Sequence, residues 1–418
     1  MTGAGQPEDE ARGWLLEAIG ALAPPAGAGP PPRPADPVRP GSGLTAAAAL
    51  AMLDAQLGSR HLDEAARWLR GRGTGYYTIG SSGHESNAAV AAALRLTDPA
   101  LLHYRSGAFY LVRAAQAGRF DEGLTDVLLG LVAAAAEPIA GGRHKVFGHR
   151  ELNIIPQTST IASHLPRAVG LAFGLARTAR LGLRAPWPAG SLVIASFGDA
   201  SVNHSTAAGA INTACYCAYQ GLPLPLLLVC EDNGLGISVR TPPGWVAAAL
   251  SGRPGLRYAR ADGTDPAAVY DAAAELAAHV RERRSPAVLH LDTVRLGGHA
   301  GSDVEAGYRP AAQIAADRGR DPLLGTARLL VSAGLASGDQ IAAAYRRSRA
   351  HVLGLAARAE HSPGLTTAAQ VMAPLAPRRQ AAVAAVIGPA DGAARGRAFG
   401  GPLPQDHGPL TSAPSTHP

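Results

Sequence analysis

The sequence is poor in cysteine, in lysine and in long apolar runs, and these shortages exclude several classes of protein. Only 3 of the 418 residues are cysteines, an odd and low number that argues against a disulfide framework and is typical of a reducing compartment. No run approaches the roughly 18 consecutive apolar residues of a membrane span, so an integral membrane protein is not expected. The segment 1–10 holds acidic residues where a signal peptide requires a basic patch and then an apolar stretch. We therefore expect a cytoplasmic protein.

Lysine is nearly absent, and the net charge of +6 comes from arginines that lie singly along the chain. Lys145 is the only lysine. Since no basic cluster with interleaved aromatic residues occurs, nucleic acid is not an expected partner. A coding preference for arginine, together with a few arginines that bind anions, accounts for the positive balance.

Proline, glycine and alanine are concentrated at the two ends and divide the chain into three segments. Residues 21–43 read ALAPPAGAGPPPRPADPVRPGSG and offer little that could pack in a core. We therefore expect a disordered arm over 1–43 and a folded domain over 44–365. The same composition returns in 366–418, which we expect to be a disordered tail or linker.

Short apolar runs alternate with helix-like segments in the middle of the chain. Near-continuous apolar strands separated by helices are typical of a parallel sheet that is covered by helices on both faces. The predicted fold class is therefore α/β. The predicted strands are 191–197, 224–230, 256–261 and 287–291, and the helices between them include 207–219 and 266–284.

Polar residues directly follow two of these strands, in FGDASVN (197–203) and CEDNGLGIS (230–238). Because ligands bind at the carboxyl ends of parallel strands, we expect Asp199 and Asn233 to lie close together at one edge. Their oxygens, with a backbone carbonyl near Leu235, suit Mg²⁺ or Ca²⁺ shared with a phosphate. Aspartate and asparagine are also common in ordinary turns, so two plain loops are the alternative for this pattern alone.

A wider resemblance makes the pattern specific. GD followed by N, each after an apolar strand, is similar to the thiamine-diphosphate signature, and the chain from about 44 to 363 resembles the alpha subunit of the first component of 2-oxoacid dehydrogenases. The branched-chain type is most similar, because GRHKVFGHRELNIIPQTST (142–160) and VRLGGHAGSD (294–303) both match it. The resemblance implies a parallel-sheet thiamine-diphosphate-binding fold. The other matching segments are GHESNAAVAAALRLTD, HYRSG, SHLPRAVGLAFGLA and RADGTDPAAVYDA.

The resemblance implies thiamine diphosphate and Mg²⁺ as cofactors and assigns residues to both. Asp199, Asn233 and the backbone of Leu235 would bind the metal. Tyr104 and Arg105 would hold the diphosphate, Arg105 through a charge-assisted hydrogen bond. Two further residues would line the diphosphate pocket: Gly198 and Ala200.

The remaining roles that the resemblance implies concern the cofactor ring and the substrate. Ser159 and Ile161 would contact the pyrimidine, and Ile161 would bend the cofactor so that its amino group meets the thiazolium carbon. His299 would face the substrate carboxylate or the acyl intermediate, and Arg295 would support its loop. A histidine in that place can also move a proton near neutral pH.

Several positions depart from the family pattern. Ala200 stands where the family has a second glycine, and the interval from Asp199 to Asn233 is longer than usual. Glu231 replaces a basic residue that helps to bind the diphosphate in the branched-chain type. Ala300 stands where the mitochondrial proteins carry a phosphorylated serine, so that regulation is not expected here.

The resemblance finally implies a shared active site. In this family the glutamate that protonates the pyrimidine comes from a beta subunit or a fused beta half, and nothing after Pro363 could be that half. We therefore expect the alpha part of a heterotetrameric enzyme that decarboxylates a 2-oxoacid and passes the acyl group to a lipoyl-bearing acyltransferase. The substrate that the resemblance favours is 3-methyl-2-oxobutanoate. The alternatives are a pyruvate or acetoin dehydrogenase alpha subunit, or a truncated, non-catalytic remnant of an alpha/beta fusion that acts as a binding module.

Overall fold

The computed structural model describes residues 7–27, 29–158, 160–182, 184–375 and 379–386. The chain divides into two compact units, Met1–Leu365 and Thr366–Pro418. Across these ranges, no helix combines the length and the apolar character needed to cross a membrane. The helices are α1 Pro7–Gly20, α2 Ala46–Gly71, α3 Asn87–Ala92, α4 Gly107–Gln116, α5 Phe120–Leu131, α6 His164–Arg180, α7 Ser205–Tyr219, α8 Trp245–Leu250, α9 Pro266–Arg283, α10 Ala311–Arg318, α11 Pro322–Ser332, α12 Gly338–Ala359, α13 Ala368–Met372 and α14 Gln380–Val386. The strands are β1 Ala100–Leu101, β2 Val193–Gly198, β3 Leu226–Asp232, β4 Leu235–Gly236, β5 Val239–Arg240, β6 Arg257–Asp262 and β7 Ala287–Asp292.

Five strands of the first unit form one parallel sheet in the order β1-β2-β3-β7-β6. The register pairs Gly198 with Glu231, so that β2 and β3 end side by side. The residues that follow these two strands therefore share one edge of the sheet, as the sequence predicts.

The sheet is buried on both faces, which explains why its strands are apolar without alternation. Ile194 and Leu227 pack in a core with α2, α4, α9, α11 and α12, whereas Val193 and Leu226 pack in a second core with α6, α7 and α8. A strand that meets helices on both sides must be apolar at every position. The predicted α/β fold is confirmed, and the four predicted strands begin and end within two residues of the observed ones.

The first helix corrects the predicted disordered arm over 1–43. Within the described residues of that arm, α1 buries Leu15 and Ile19 in the same core as α2 and α12. Val38, in the proline-rich segment, is buried there too. Gly338 permits this packing, because a Cβ at that position would lie 2.2 Å from the Ile19 carbonyl oxygen. The apolar face of a short helix therefore finds a partner more than 300 residues away along the chain.

The second unit also differs from the predicted tail over 366–418. Its described residues form α13, a 3₁₀ turn at Ala373–Leu375, and α14. Thr367 and Gln370 make a capping box at the start of α13, which stabilises the first turn of an alanine-rich segment. Residues 376–378 and 387–418 of the predicted tail lie outside the described ranges.

Candidate active site

Asp199 and Asn233 occupy the sheet edge where β2 and β3 end. Asp199 begins a 3₁₀ turn, Asp199–Asn203, and its side chain is buried. The Thr241 hydroxyl donates to the Asp199 carboxylate, and the Thr241 amide donates to the Gly234 carbonyl at 2.9 Å. Thr241 therefore ties the Asp199 carboxylate to the hairpin that carries Asn233 and Leu235.

The environment of Asp199 suits a cation. Burial raises the pKa of its carboxyl, the hydrogen bond from Thr241 opposes this, and the charge of Asp232 adds to the increase. In the described part of the chain, no lysine or arginine pairs with this carboxylate. Asn233 adds an amide oxygen that accepts the Leu235 amide at 3.0 Å and keeps a second lone pair. This set of hard oxygen ligands fits Mg²⁺.

Tyr104 and Arg105 lie against the same edge. The Tyr104 ring stacks at 4.0 Å from that of His103, and a Cβ on Gly198 would lie 3.4 Å from His103 Nε2. The Arg105 guanidinium is buried, lies 5.2 Å from the Tyr104 ring and donates to the Gly80 carbonyl. The predicted diphosphate residues are thus brought together with Gly198.

His299 contacts Arg105 directly. Arg105 Nη2 lies 3.1 Å from both the Nδ1 atom and the carbonyl oxygen of His299. Burial, and then the charges of Arg105 and Arg295, lower the pKa of His299 to about 4. His299 is therefore neutral at pH 7, which differs from the expectation that it titrates near neutral pH.

Arg295 supports the loop that carries His299. Its buried guanidinium donates to the Ile237 carbonyl at 2.7 Å and to the Tyr308 hydroxyl. Tyr308 donates to Asp303 at 2.6 Å, and Asp303 in turn accepts the His299 amide. Arg295 thereby links the hairpin of β4 and β5 to the loop that carries His299.

A small cavity lies beside Tyr104 and is lined by Ile161. Ser159, the other predicted pyrimidine contact, lies outside the described residues. His164 Nε2 donates to the Ser196 carbonyl at 2.7 Å, because a carbonyl oxygen can only accept, and the ring proton is therefore on Nε2. Three buried polar atoms of the cavity wall have no partner within the described protein, as expected for a wall that faces a polar ligand: His103 Nδ1, Gln157 Oε1 and His164 Nδ1.

The charges of the site fit a metal diphosphate. Among the described residues, no carboxylate lies within 4.0 Å of the buried guanidinium of Arg105 or Arg295, and their hydrogen bonds go to neutral groups. Buried cations of this kind require an anion for compensation. The site thus offers the carboxylate of Asp199 to a cation and the guanidinium of Arg105 to an anion.

Two residues at this edge, His84 and Thr241, were not predicted from the sequence, and neither was the role of Glu231. The Glu231 carboxylate is fully buried and bonds to His84 Nδ1 at 2.7 Å, to Ser106 Oγ at 3.1 Å and to Asn87 Nδ2 at 3.3 Å. The signal for His84 is its place in the matching segment GHESN, although nothing in the sequence indicates which group it contacts.

Comparison with known proteins agrees with this geometry. The model of the family "Dehydrogenase E1 component" matches residues 55–368. The 2-oxoisovalerate dehydrogenase subunit alpha of Bacillus subtilis is 28% identical over 305 residues, which cover 71% of this chain and 86% of that protein. The human mitochondrial subunit alpha is 27% identical over 221 residues, covering 52% of this chain and 46% of that protein. The subunit alpha 2 of Arabidopsis thaliana is 32% identical over 184 residues, covering 42% and 35%.

These matches confirm the resemblance inferred from the motifs. The matched region spans most of the bacterial relative but less than half of the human and plant ones. The family implies thiamine diphosphate as the cofactor, and the ligand set described above fits it. The family model matches well over half of the 418 residues of the chain. The chain therefore belongs to the dehydrogenase E1 component family.

Proposed function

We propose that this protein is the alpha part of a thiamine-diphosphate- and Mg²⁺-dependent enzyme that oxidatively decarboxylates a branched-chain 2-oxoacid. The observation that carries the proposal is the contact of Arg105 with His299 at the edge that carries Asp199 and Asn233. It joins cationic groups for a diphosphate, oxygen ligands for a metal and a neutral histidine in one place. The similar proteins named 2-oxoisovalerate dehydrogenase subunit alpha support 3-methyl-2-oxobutanoate as the substrate.

In this proposal, the partners are a beta subunit, which contributes the pyrimidine-binding glutamate, and a lipoyl-bearing acyltransferase. The working form is a heterotetramer in the cytoplasm.

The residues of this chain hold the cofactor by its charged end. Asp199, Asn233 and the Leu235 backbone would bind Mg²⁺, while Tyr104 and Arg105 would bind the diphosphate in a pocket that Gly198 and Ala200 would line. Ile161, which lines the cavity beside Tyr104, would contact the cofactor ring. Ser159, the other residue proposed for this contact, lies outside the described residues. When bound, thiamine diphosphate supplies the nucleophilic carbon and takes up the electron pair released with CO₂.

The role of His299 follows from its contact with Arg105. A guanidinium can only donate, so the Nδ1 atom of His299 must accept, and the proton of the neutral ring is on Nε2. His299 therefore presents an N–H donor to an oxygen of the substrate. Arg295 holds the loop that fixes this orientation.

Replacement of Asp199 tests the proposal. Asp199→Ala removes a metal ligand and leaves the diphosphate charge uncompensated, so calorimetry with thiamine diphosphate and MgCl₂ should show no binding of the pair. Asp262→Ala is the matched control: it removes a carboxylate at the end of β6, two strands away from β3, and should bind as the wild type does. Unchanged affinity in Asp199→Ala would refute the site.

The enzymatic part is tested with dichlorophenolindophenol and 3-methyl-2-oxobutanoate. Turnover should appear only after a beta partner is added, because the glutamate that acts on the pyrimidine is supplied by that partner. Turnover by the purified chain alone would contradict the shared site.

A further inference from the structure

We propose that His84 and Glu231 are positioning residues that fix the amide of Asn233 with its oxygen toward the metal. The inference rests on the proposed function, because it takes Asn233 as a metal ligand. The three side chains form a chain of hydrogen bonds beneath the sheet edge: Glu231 Oε2 lies 2.7 Å from His84 Nδ1, and His84 Nε2 lies 2.9 Å from Asn233 Nδ2.

The orientation of the Asn233 amide is determined by its two neighbours. The Leu235 backbone N–H is an obligatory donor and lies 3.0 Å from Asn233 Oδ1, so this atom is the oxygen. The opposite atom is then the NH₂ group, which donates to His84 Nε2. An asparagine with the amide reversed would place two donors against each other at one contact and two acceptors at the other.

The tautomer of His84 follows in turn. Since Asn233 Nδ2 donates, His84 Nε2 must carry a lone pair, and the ring proton is on Nδ1. That proton is donated to the carboxylate of Glu231. Because Glu231 accepts the Nδ1 proton, His84 Nε2 carries a lone pair and accepts from the Asn233 amide. His84 Nε2 therefore cannot be a hydrogen-bond donor.

Glu231 is suited to this task because it is buried and held in place. The side chains of His84 and Glu231 have no exposed surface. The second carboxylate oxygen of Glu231 accepts from Ser106 Oγ at 3.1 Å, and Asn87 Nδ2 lies 3.3 Å from the first. No lysine or arginine of the described residues pairs with this carboxylate. It is therefore free to accept from the ring, and its charge lies beneath a site that binds a cation.

This arrangement gives a reason for the glutamate at a position where the resemblance predicts a basic residue. A basic side chain at 231 could not accept the His84 proton, and the ring would lose its fixed tautomer. Partners that orient metal ligands from outside the coordination shell typically change metal affinity by about 10- to 100-fold when they are replaced.

Two substitutions of His84 separate positioning from packing. His84→Phe keeps the volume of the ring and removes both nitrogens, whereas His84→Gln loses the ring but can place an amide oxygen near the Nε2 position. We expect His84→Phe to weaken Mg²⁺ binding, measured by calorimetry on the full chain with saturating thiamine diphosphate, by about 10- to 100-fold. His84→Gln should restore most of the affinity. If His84 only packs, Mg²⁺ binding should weaken more in His84→Gln than in His84→Phe.

The tautomer itself is measured on the unaltered protein. In ¹⁵N-histidine-labelled full chain, long-range ¹H–¹⁵N spectra should show His84 protonated on Nδ1 and unprotonated on Nε2, with His84→Gln used for assignment. This measurement does not depend on the folding of His84→Phe. An Nε2–H tautomer would overturn the inference.

The Asp199→Ala variant distinguishes the inference from the proposed function. Loss of Mg²⁺ binding in Asp199→Ala together with wild-type affinity in His84→Phe would overturn the positioning role and leave the metal site intact. Equal losses of Mg²⁺ affinity in His84→Phe and His84→Gln would show that the hydrogen-bond acceptor at the Nε2 position of His84 does not position Asn233. Unchanged affinity in Asp199→Ala would overturn the metal site and, with it, this inference.

Discussion

At the scale of single residues, the chemistry of the site depends on which nitrogen of each histidine carries the proton. Arg105 fixes Nε2–H on His299, and Glu231 fixes Nδ1–H on His84. In both cases a charged partner that can only donate or only accept determines the tautomer of the ring, which is buried in His84 and half-buried in His299. Neither partner is near its histidine in sequence.

His299→Ala should lose turnover without losing the cofactor. In the proposed function the neutral ring donates one hydrogen bond to the substrate, and removal of one such donor from a transition state costs on the order of 10²-fold in rate. Thiamine diphosphate and Mg²⁺ should bind almost normally, because Asp199 and Asn233 are unchanged. Single-turnover kinetics on the assembled enzyme measures the loss, with His279→Ala on α9 as the control. A rate within about threefold of wild type would show that His299 only packs.

At the scale of elements, much of the fold is encoded locally. The apolar runs that become β2, β3, β6 and β7 are visible in sequence because each strand is buried on both faces. The edge that unites Asp199 and Asn233 follows from the same pattern, because parallel strands end together. The geometry of the predicted site residues could not be derived in this way, and their roles in binding stay predictions.

Other contacts could not be predicted because they join distant segments. His84 meets Glu231 across 147 positions, and Arg105 meets His299 across 194. Helix α1 was missed for a similar reason, since the burial of Leu15 and Ile19 depends on α12 at the other end of the unit. Local composition holds no information on such pairings.

The hairpin of β4 and β5 depends on a close approach at Gly236. A Cβ there would lie 2.8 Å from the Cβ of Ala200, which stands where the family has a glycine. Gly236→Ala should therefore displace the Leu235 carbonyl from the metal site and weaken Mg²⁺ binding; overpacking of this kind costs about 1–3 kcal/mol. The double variant Ala200→Gly/Gly236→Ala removes the contact and should restore binding in calorimetry. Equal affinities for the single variant and the wild type would contradict this account.

At the scale of the whole molecule, apolar side chains remain exposed on the elements next to the site. In the hairpin of β4 and β5, Ile237 and Val239 are 59% and 70% exposed. Large apolar side chains that share one region of a surface are common at protein interfaces. Their exposure supports the proposed assembly with a beta subunit.

The buried histidines should make the whole chain sensitive to acid. Burial lowers the pKa values of His61, His103, His164 and His299, and it lowers that of His164 to about 4. An unfolded histidine titrates near pH 6.5, so between about pH 6.5 and 4 the unfolded chain binds more protons than the native one. The free energy of unfolding therefore falls as the pH is lowered through this range.

His164 provides the test of this acid sensitivity. With a native pKa of about 4, its contribution at pH 5 is a loss of roughly 2 kcal/mol relative to pH 7.5. His164→Gln can keep a donor to the Ser196 carbonyl but cannot titrate. In urea denaturation of the cofactor-free chain, the drop in the free energy of unfolding from pH 7.5 to pH 5 should thus be smaller in His164→Gln by about that amount. If wild type and variant lose the same free energy, the buried ring of His164 does not resist protonation, and the acid sensitivity must come from groups that both proteins share, the other histidines or the carboxylates.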